Sequence, residues 1–418
     1  MKGISTDIIV IGGGHAGLSI SYQLKNLNLD HILFEKGKIG NSWLSQRWDS
    51  FKMNTPNKMN LLPGIENYYP DDDDFCSARD FVDTLEKYSL ESGLPVQENS
   101  TVLSVEKADN SKSFNVRVSA DGSMELYRGK KVIVASGGQN IKSMPPFSGN
   151  ISSSIVQKHA SEYRNATSLP GGAVLVVGSA QSGIQIAEDL VDAGRKVFLS
   201  TSEVPRVPRR YRGKDITDWL TMTGFFDLQT KDVTDPKILM TKQPQVSNKG
   251  NRGRTTSYQS LWRSGVVILG KAKYAEGQNF YFHPNAGNHV KFADDFSNKV
   301  KRMIDDYIQK SNFLVPLPEY DPADEPDNDA SCASPIAMMD LRKNNINSII
   351  WCTGFKGDFG YLKLPVFTQD GYPLHFDGLT NITGLYFTGL PWLRKRKSGI
   401  IYGSLEDSEI LAEHISRL

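Results

Sequence analysis

The chain has 418 residues, of which 39% are hydrophobic and 23% charged, with a formal net charge of +1. That length supports two or three domains with proper cores, and the near-neutral balance offers no global field for nucleic acid or an anionic membrane. Three cysteines, Cys76, Cys332 and Cys352, lie far apart and form no CxxC, which argues against a disulfide framework and a dithiol redox centre and fits a reducing compartment.

The first apolar run starts within ten residues of Met1. No signal peptide is expected before it, and no apolar run reaches the ~18 residues of a membrane helix, so a cytoplasmic location is expected. Ile8 to Ile11 reads as a parallel strand buried on both faces. Gly12, Gly14 and Gly17 then fill the pattern GxGxxG. The first glycine serves a tight turn, the second admits a pyrophosphate, and the third lets the following helix pack close. Ala16, Ile20, Leu24 and Leu27 recur at helical spacing, so the helix N-terminus faces the phosphates. A second strand, His31 to Phe34, ends in Glu35, eighteen residues beyond Gly17, where a carboxylate accepts from a ribose 2′-hydroxyl. The bland alternative is a glycine-rich turn; strand, glycines, helix, strand and acid in register favour an adenine dinucleotide.

Residues 37–64 are rich in Gly, Asn, Pro and aromatics without a clean period, and read mostly as a functional loop. Trp43, Trp48 and Phe51 suit core anchors as well as ligand contacts, and Asn54 sits at a pre-proline turn. Ser77 and Asp80 form a capping-box variant ahead of a helix with Ala78, Phe81, Val82, Leu85 and Tyr88 on one face. Strand-like runs follow at 101–105 and 114–118, then 131–138, which ends in Ala-Ser-Gly-Gly and suits close backbone approach to a ligand.

Val174 to Val177 opens a second unit. Gly178, Ser179, Ala180, Gln181, Ser182 and Gly183 repeat the loop with Ala180 at the middle position, and Ile184, Ala187, Leu190 and Val191 form the inner face of the next helix. The strand Lys196 to Leu199 runs into Ser200, Thr201 and Ser202. Thr201 stands eighteen residues past Gly183, where the first unit has its acid. Arg206, Arg209, Arg210 and Arg212 follow. Hydroxyls plus arginines suit a 2′-phosphate, so NADPH is expected over NADH; Glu203 is a nearby acid against that reading, and a solvated basic face is the alternative for the arginines.

A helix is expected after Asp294 or Asp295, from Phe296, Val300, Met303, Ile304, Tyr307 and Ile308. Residues 317–335, proline-rich and acidic, read as an exposed connection. Residues 349–355 and 384–389 read as strands ending in Thr-Gly, a return to the opening pattern. The 394–397 run Arg-Lys-Arg-Lys reads as a solvated turn, with a phosphate contact as the alternative, and Leu411, Ile415 and Leu418 face a docked C-terminal helix. The fold class expected is α/β with two Rossmann-like dinucleotide-binding domains. One is an FAD domain of residues 1–155 and 336–418; the other is an NADPH domain, 156–335, inserted into it. No metal site is expected.

The sequence resembles the flavin-containing monooxygenases, in particular a bacterial branch of cytosolic flavoprotein oxidoreductases. The resemblance spans nearly the whole chain and rests on GGGHAG (12–17), GNSW (40–43), RWDSFKMNTPN (47–57), HASEYR (159–164), LVVGSAQSG (175–183), the 200–213 run and WCTGF (351–355). His159 and Tyr163 match the end of the family signature FxGxxxHxxxY, but Ser153 and Ile155 stand where the family has Phe and Gly. Tyr163-Arg164 stands where Baeyer–Villiger enzymes carry Trp-Pro, which leans toward heteroatom oxygenation.

The resemblance implies that NADPH reduces FAD and that a C4a-hydroperoxyflavin oxygenates a nitrogen or sulfur centre of a small metabolite. Asn54 matches the family's flavin-side asparagine and is the catalytic candidate. FAD is expected along Gly12, Gly14, His15, Ala16, Gly17, Glu35 and Lys36, with Trp43, Arg47, Val102, Ser136 and Gly137 beside it and Thr353, Gly354 and Gly389 closing the site. NADPH is expected at Gly178, Ser179, Gln181, Ser182 and Gly183, with Ser200, Thr201, Arg209 and Arg210 at its ribose. O2 and a small molecule are the expected partners, with neither nucleic acid nor membrane; a homodimer stays open. Two rivals remain: an NADPH–flavin reductase serving a quinone or protein acceptor, and a non-catalytic redox-sensing flavoprotein.

Overall fold

The computed structural model describes residues 4–65, 68–108, 112–250 and 252–418. Strand β1 (Ile4–Ile11) buries Ile8 to Ile11, turns at Gly12 and feeds helix α1 (His15–Asn26), which returns the chain to β2 (His31–Phe34). β2 runs parallel to β1 with Ile8 opposite His31. Helix α2 (Ala78–Glu91) starts in a full capping box: Ser77 accepts from Asp80 N–H, and Asp80 accepts from Ser77 N–H. It buries Phe81, Val82, Leu85 and Tyr88.

The first sheet continues through β3 (Val96–Gln97), β4 (Ser100–Lys107), β5 (Phe114–Ala120) and β6 (Ser123–Val134), in the order β3-β2-β1-β6-β5-β4. β6 runs antiparallel to β5 along its first half and parallel to β1 toward its end.

A second sheet comprises β7 (Val156–His159), β8 (Ala173–Val177), β9 (Val197–Ser200), β10 (Val267–Leu269) and β11 (Ile346–Trp351). Its order is β10-β9-β8-β11-β7, every pair parallel. Such a sheet is covered on both faces, and every residue of β8 is buried. Helix α3 (Gln181–Asp192) joins β8 to β9, and the long helix α4 (Ala286–Ser311) lies between β10 and β11 in the chain. Strand β12 (Leu385–Phe387) then pairs parallel with the end of β6, and helix α5 (Ile401–Ser416) packs on α1, where Ser404 and Ser19 hydroxyls meet at 3.2 Å.

Four sequence expectations change. Residues 346–351 form a strand of the second sheet, not the first, so the chain returns to the first sheet after Trp351 instead of at 336. An apolar strand ending in Thr-Gly serves either sheet equally well, and only pairing decides. Helix α4 starts at Ala286, ahead of the acids expected to begin it. The acidic connection is not wholly exposed: Asp324 is buried against Arg206 and Lys301. The 394–397 run is no solvated turn, because Lys395 and Lys397 pair with Asp227 and Glu406, and Arg394 with Glu406 and Asp407.

Candidate functional site

At the first glycine loop each position has a distinct physical role. Gly12 has φ +110°, and a Cβ there lies 2.6 Å from Ala135 O. A Cβ at Gly17 lies 1.8 Å from Gly12 O, so this glycine permits the close helix–strand packing. A Cβ at Gly14 meets nothing within 4 Å, leaving room beside the N-terminus of α1. Glu35 is drawn to this loop: its Oε2 accepts from Gly13 N–H at 2.6 Å and its Oε1 from Gly37 N–H at 2.9 Å. His15 Nε2 is buried without a partner among the described residues, and burial lowers its imidazole to about 4, so the ring is neutral. Open space, a helix N-terminus, a fixed carboxylate and an unpartnered ring nitrogen fit an adenine dinucleotide.

The second loop repeats the geometry. Gly178 has φ +105°, with a Cβ 2.4 Å from Cys352 O, and a Cβ at Gly183 lies 1.8 Å from Gly178 O. At the middle position this loop carries Ala180, which is the N-cap of α3. Ser179 is buried, its hydroxyl 2.7 Å from Tyr258 Oη and accepting from Ser202 N–H at 3.0 Å. Gln245 Nε2 donates to Ser179 O at 2.5 Å, and the Gln181 side chain exchanges hydrogen bonds with the Val246 backbone. Tyr258 and Gln245 thus brace this loop from behind. Gln245 lies in an irregular stretch and Tyr258 opens the short helix Tyr258–Arg263, and no periodicity marked either.

The expected 2′-phosphate ligands do not converge. Ser200 Oγ donates to Gly270 O and Thr201 Oγ1 to Leu269 O, both inside the fold, and His289 Nδ1 lies 2.9 Å from Thr201 Oγ1. Arg206 and Arg209 are fully buried in ion pairs, with Asp294 and Asp324 and with Asp215. Arg212 pairs with Asp305, and Arg210 donates to Gly213 O within its own hairpin. Arg206 and Arg209 are structural because they have buried carboxylates to neutralise.

The two units meet at Asn54. Its Oδ1 accepts from Gln185 Nε2 of α3 at 2.7 Å and lies 3.3 Å from Asn248 Nδ2; its backbone oxygen accepts from Arg209 Nη1 at 2.9 Å. The family-signature residues also bridge elements: His159 Nε2 is 3.0 Å from Gly354 O, and Tyr163 Oη donates to Asp189 Oδ2 at 2.5 Å.

Around the first loop, the Arg47 guanidinium sits 5.0 Å from the Trp43 ring centroid and 5.4 Å from that of Phe51, and burial pulls it down to about 10. Ser136 Oγ lies 2.9 Å from Tyr361 Oη, Gly137 has φ +71°, and Val102 flanks a bulge in β4. Lys36 is exposed. Thr353 Oγ1 donates to Ser143 O at 2.5 Å beyond β11, and a Cβ at Gly389 comes within 2.6 Å of Ala16 Cβ. The three cysteines are buried and unpaired, and burial pushes every thiol up, Cys76 to about 11.

This architecture agrees with comparison to known proteins. A family model described as pyridine nucleotide-disulphide oxidoreductase matches residues 9–234, more than half of the chain. The chain is 28% identical to an uncharacterized CzcO-like oxidoreductase of Geobacillus kaustophilus, over 98% of both chains. It is 26% identical to a probable indole-3-pyruvate monooxygenase, YUCCA9, of Arabidopsis thaliana, over 49% of each. A flavin-containing monooxygenase from Stenotrophomonas maltophilia superposes with a TM-score of 0.65 over 99% of both chains at 16% identity. The chain belongs to the pyridine nucleotide-disulphide oxidoreductase family, as an FAD- and NADPH-binding oxidoreductase.

Proposed function

We propose that this chain is a monooxygenase that places one oxygen atom of O2 on a nitrogen or sulfur centre of a small metabolite through a C4a-hydroperoxyflavin. In balance, NADPH, a proton, O2 and the acceptor X give NADP⁺, water and XO. Bound FAD supplies the oxygen-activating chemistry, and the chain's own residues bind, orient and exclude water. FAD lies along Gly12 to Gly17 and Glu35, and NADPH at Gly178 to Gly183.

The observation that carries this reading is the Asn54 amide. It stands where the two dinucleotide units meet, with its oxygen held by Gln185 and Asn248. That leaves a fixed amide donor for the oxygen-bearing edge of the flavin. The buried, separated thiols support it by leaving no dithiol to receive electrons.

The test measures NADPH, oxygen, hydrogen peroxide and product together, with methyl phenyl sulfide and N,N-dimethylaniline as probes. Oxygenated product in step with NADPH, and peroxide well below it, is the expected result. NADPH oxidation that runs only with an added quinone and gives no oxygenated probe assigns the chain to the reductases instead.

A further inference from the structure

A side-chain amide has two ends of nearly equal size, so its rotational sense is decided by hydrogen bonding alone. For Asn54 that sense follows from a chain of contacts. Asn248 is buried, and its Nδ2 faces Lys52 O at 2.7 Å and Met53 O at 3.1 Å. Two backbone carbonyls can only accept, so the nitrogen end of Asn248 must face them. The same nitrogen lies 3.3 Å from the Asn54 side chain, which makes the near atom of Asn54 its oxygen. Gln185, also buried, must then present its own nitrogen, and does so at 2.7 Å. Asn54 Nδ2 is left pointing away from both, and none of the described hydrogen bonds uses it.

We propose that Gln185 and Asn248 are positioning residues that fix the Asn54 amide with its donor toward the flavin and its acceptor toward α3. The inference rests on the placement of Asn54 beside the flavin under Proposed function. A donor facing the edge where negative charge develops on oxygen stabilises it, and an acceptor there opposes it. Gln185 lies on the helix that opens at the second dinucleotide loop, whereas Asn54 lies in the loop after the first. The hydrogen bond therefore ties the two units together at the reacting edge. Charged groups packed around the pair are Arg209 with Asp215 on one side, and Glu188 with Arg254 one turn further along α3.

The informative variant is Gln185→Glu. An ionised carboxylate can only accept, so it draws Asn54 Nδ2 inward and turns the amide oxygen toward the flavin; once protonated it donates again and restores the native sense. Burial raises such a carboxyl into the working range, with the switch expected between about pH 5.5 and 8.5. The first readout uses oxidised holoenzyme without NADPH: the visible absorption band of bound FAD should shift with pH in Gln185→Glu and stay still in wild type. The second mixes NADPH-reduced enzyme with oxygen and follows the near-ultraviolet transient and peroxide release. At pH 8.5 the variant should release peroxide about tenfold faster than wild type, returning to within about twofold at pH 5.5.

Asn248→Ala, which removes the reference point without adding charge, should speed peroxide release at every pH. Retained FAD content and melting temperature establish that either variant is folded. A flavin band and peroxide rate in Gln185→Glu that ignore pH overturn the proposal. Stoichiometric peroxide from wild type without any transient sinks the monooxygenase reading instead, while the spectral titration still decides the amide's orientation.

Discussion

Arg209 Nη1 donates to the backbone oxygen of Asn54 at 2.9 Å while its Nη2 lies 2.7 Å from Asp215 Oδ2. The guanidinium also stacks 4.3 Å from the Phe75 ring centroid. A cation placed by sequence at a nucleotide phosphate is thus a buried strut under the loop that carries Asn54. Asp215 in turn caps the helix Ile216–Met222 by accepting from Thr217 N–H.

Arg209→Met leaves Asp215 buried without its counter-charge, and breaking such a pair costs ~3–5 kcal/mol. A marked fall in melting temperature is expected, with the ratio of catalytic efficiencies for NADPH and NADH kept within about twofold. Melting curves and steady-state kinetics check this. A variant of native stability that has lost only its NADPH preference returns Arg209 to the phosphate.

The two glycines at Gly14 and Gly17 should fail in different ways. A methyl at Gly17 collides with backbone at 1.8 Å, so Gly17→Ala should destabilise even the apoprotein, by at least the ~1–3 kcal/mol of an overpacked core. A methyl at Gly14 meets no protein atom, so Gly14→Ala should leave the apoprotein melting temperature intact and weaken FAD binding by about tenfold or more. Apoprotein melting and flavin fluorescence titration separate the two. Unaltered FAD affinity in Gly14→Ala removes the pyrophosphate from this loop.

What the sequence made legible was local. The packing of Gly17 on Gly12 and of Gly183 on Gly178, the bond of Glu35 to Gly13 and the Ser77 capping box are each set by contacts within about twenty residues, and periodicity and turn chemistry report such contacts directly. Pairing partners were not legible: β11 carries the same apolar pattern and Thr-Gly ending as a strand of the first sheet. Charge was misread for a related reason. Arg206 lies 88 residues from Asp294 and 118 from Asp324, and a run of arginines looks the same whether solvated or neutralised from afar. Gln185 and Asn248 were invisible because an amide's role depends on what faces it.

Asp407, on α5, offers a separate pH test. Burial pushes its carboxyl up to about 6, with Arg394 and Ser398 pulling the other way, and its Oδ2 has no hydrogen-bond partner among the described residues. The folded state therefore holds this proton more tightly than the unfolded chain, which releases it near 3.8. Ionisation costs stability progressively as pH rises from that value through about 6, on the order of 2–3 kcal/mol in full. Asp407→Asn removes that cost, so its melting temperature should exceed wild type at pH 7.5 and converge with it near pH 4. A gain that persists unchanged at low pH shows the effect is not the carboxyl's ionisation.

With Arg206 and Arg209 diverted, the 2′-phosphate of NADPH needs another cation at the end of β9, where the ribose of this fold lies. Lys271 lies just past the end of the neighbouring strand β10. Ser200 pairs with Leu269, Thr201 N–H donates to Leu269 O at 3.0 Å, and Lys271 follows two residues on. Lys271 is exposed and has no ion pair among the described residues; it and Glu203 act with opposite sign on the buried ring of His289, so all three share one neighbourhood. A lysine contact to phosphate is a charge-assisted bond of about 1.5–3 kcal/mol, reduced by exposure. Lys271→Ala should therefore lower kcat/KM for NADPH by about tenfold, mostly through KM, and leave NADH nearly unchanged. Glu203→Gln should act in the opposite direction by a few-fold, since a carboxylate repels the phosphate, and both effects should shrink as ionic strength rises. Kinetics with the two nucleotides at low and high salt decide it: equal losses for NADPH and NADH in Lys271→Ala make the lysine a general structural contact, and an NADPH-specific loss in Arg210→Ala with Lys271→Ala silent moves the phosphate to the hairpin arginine.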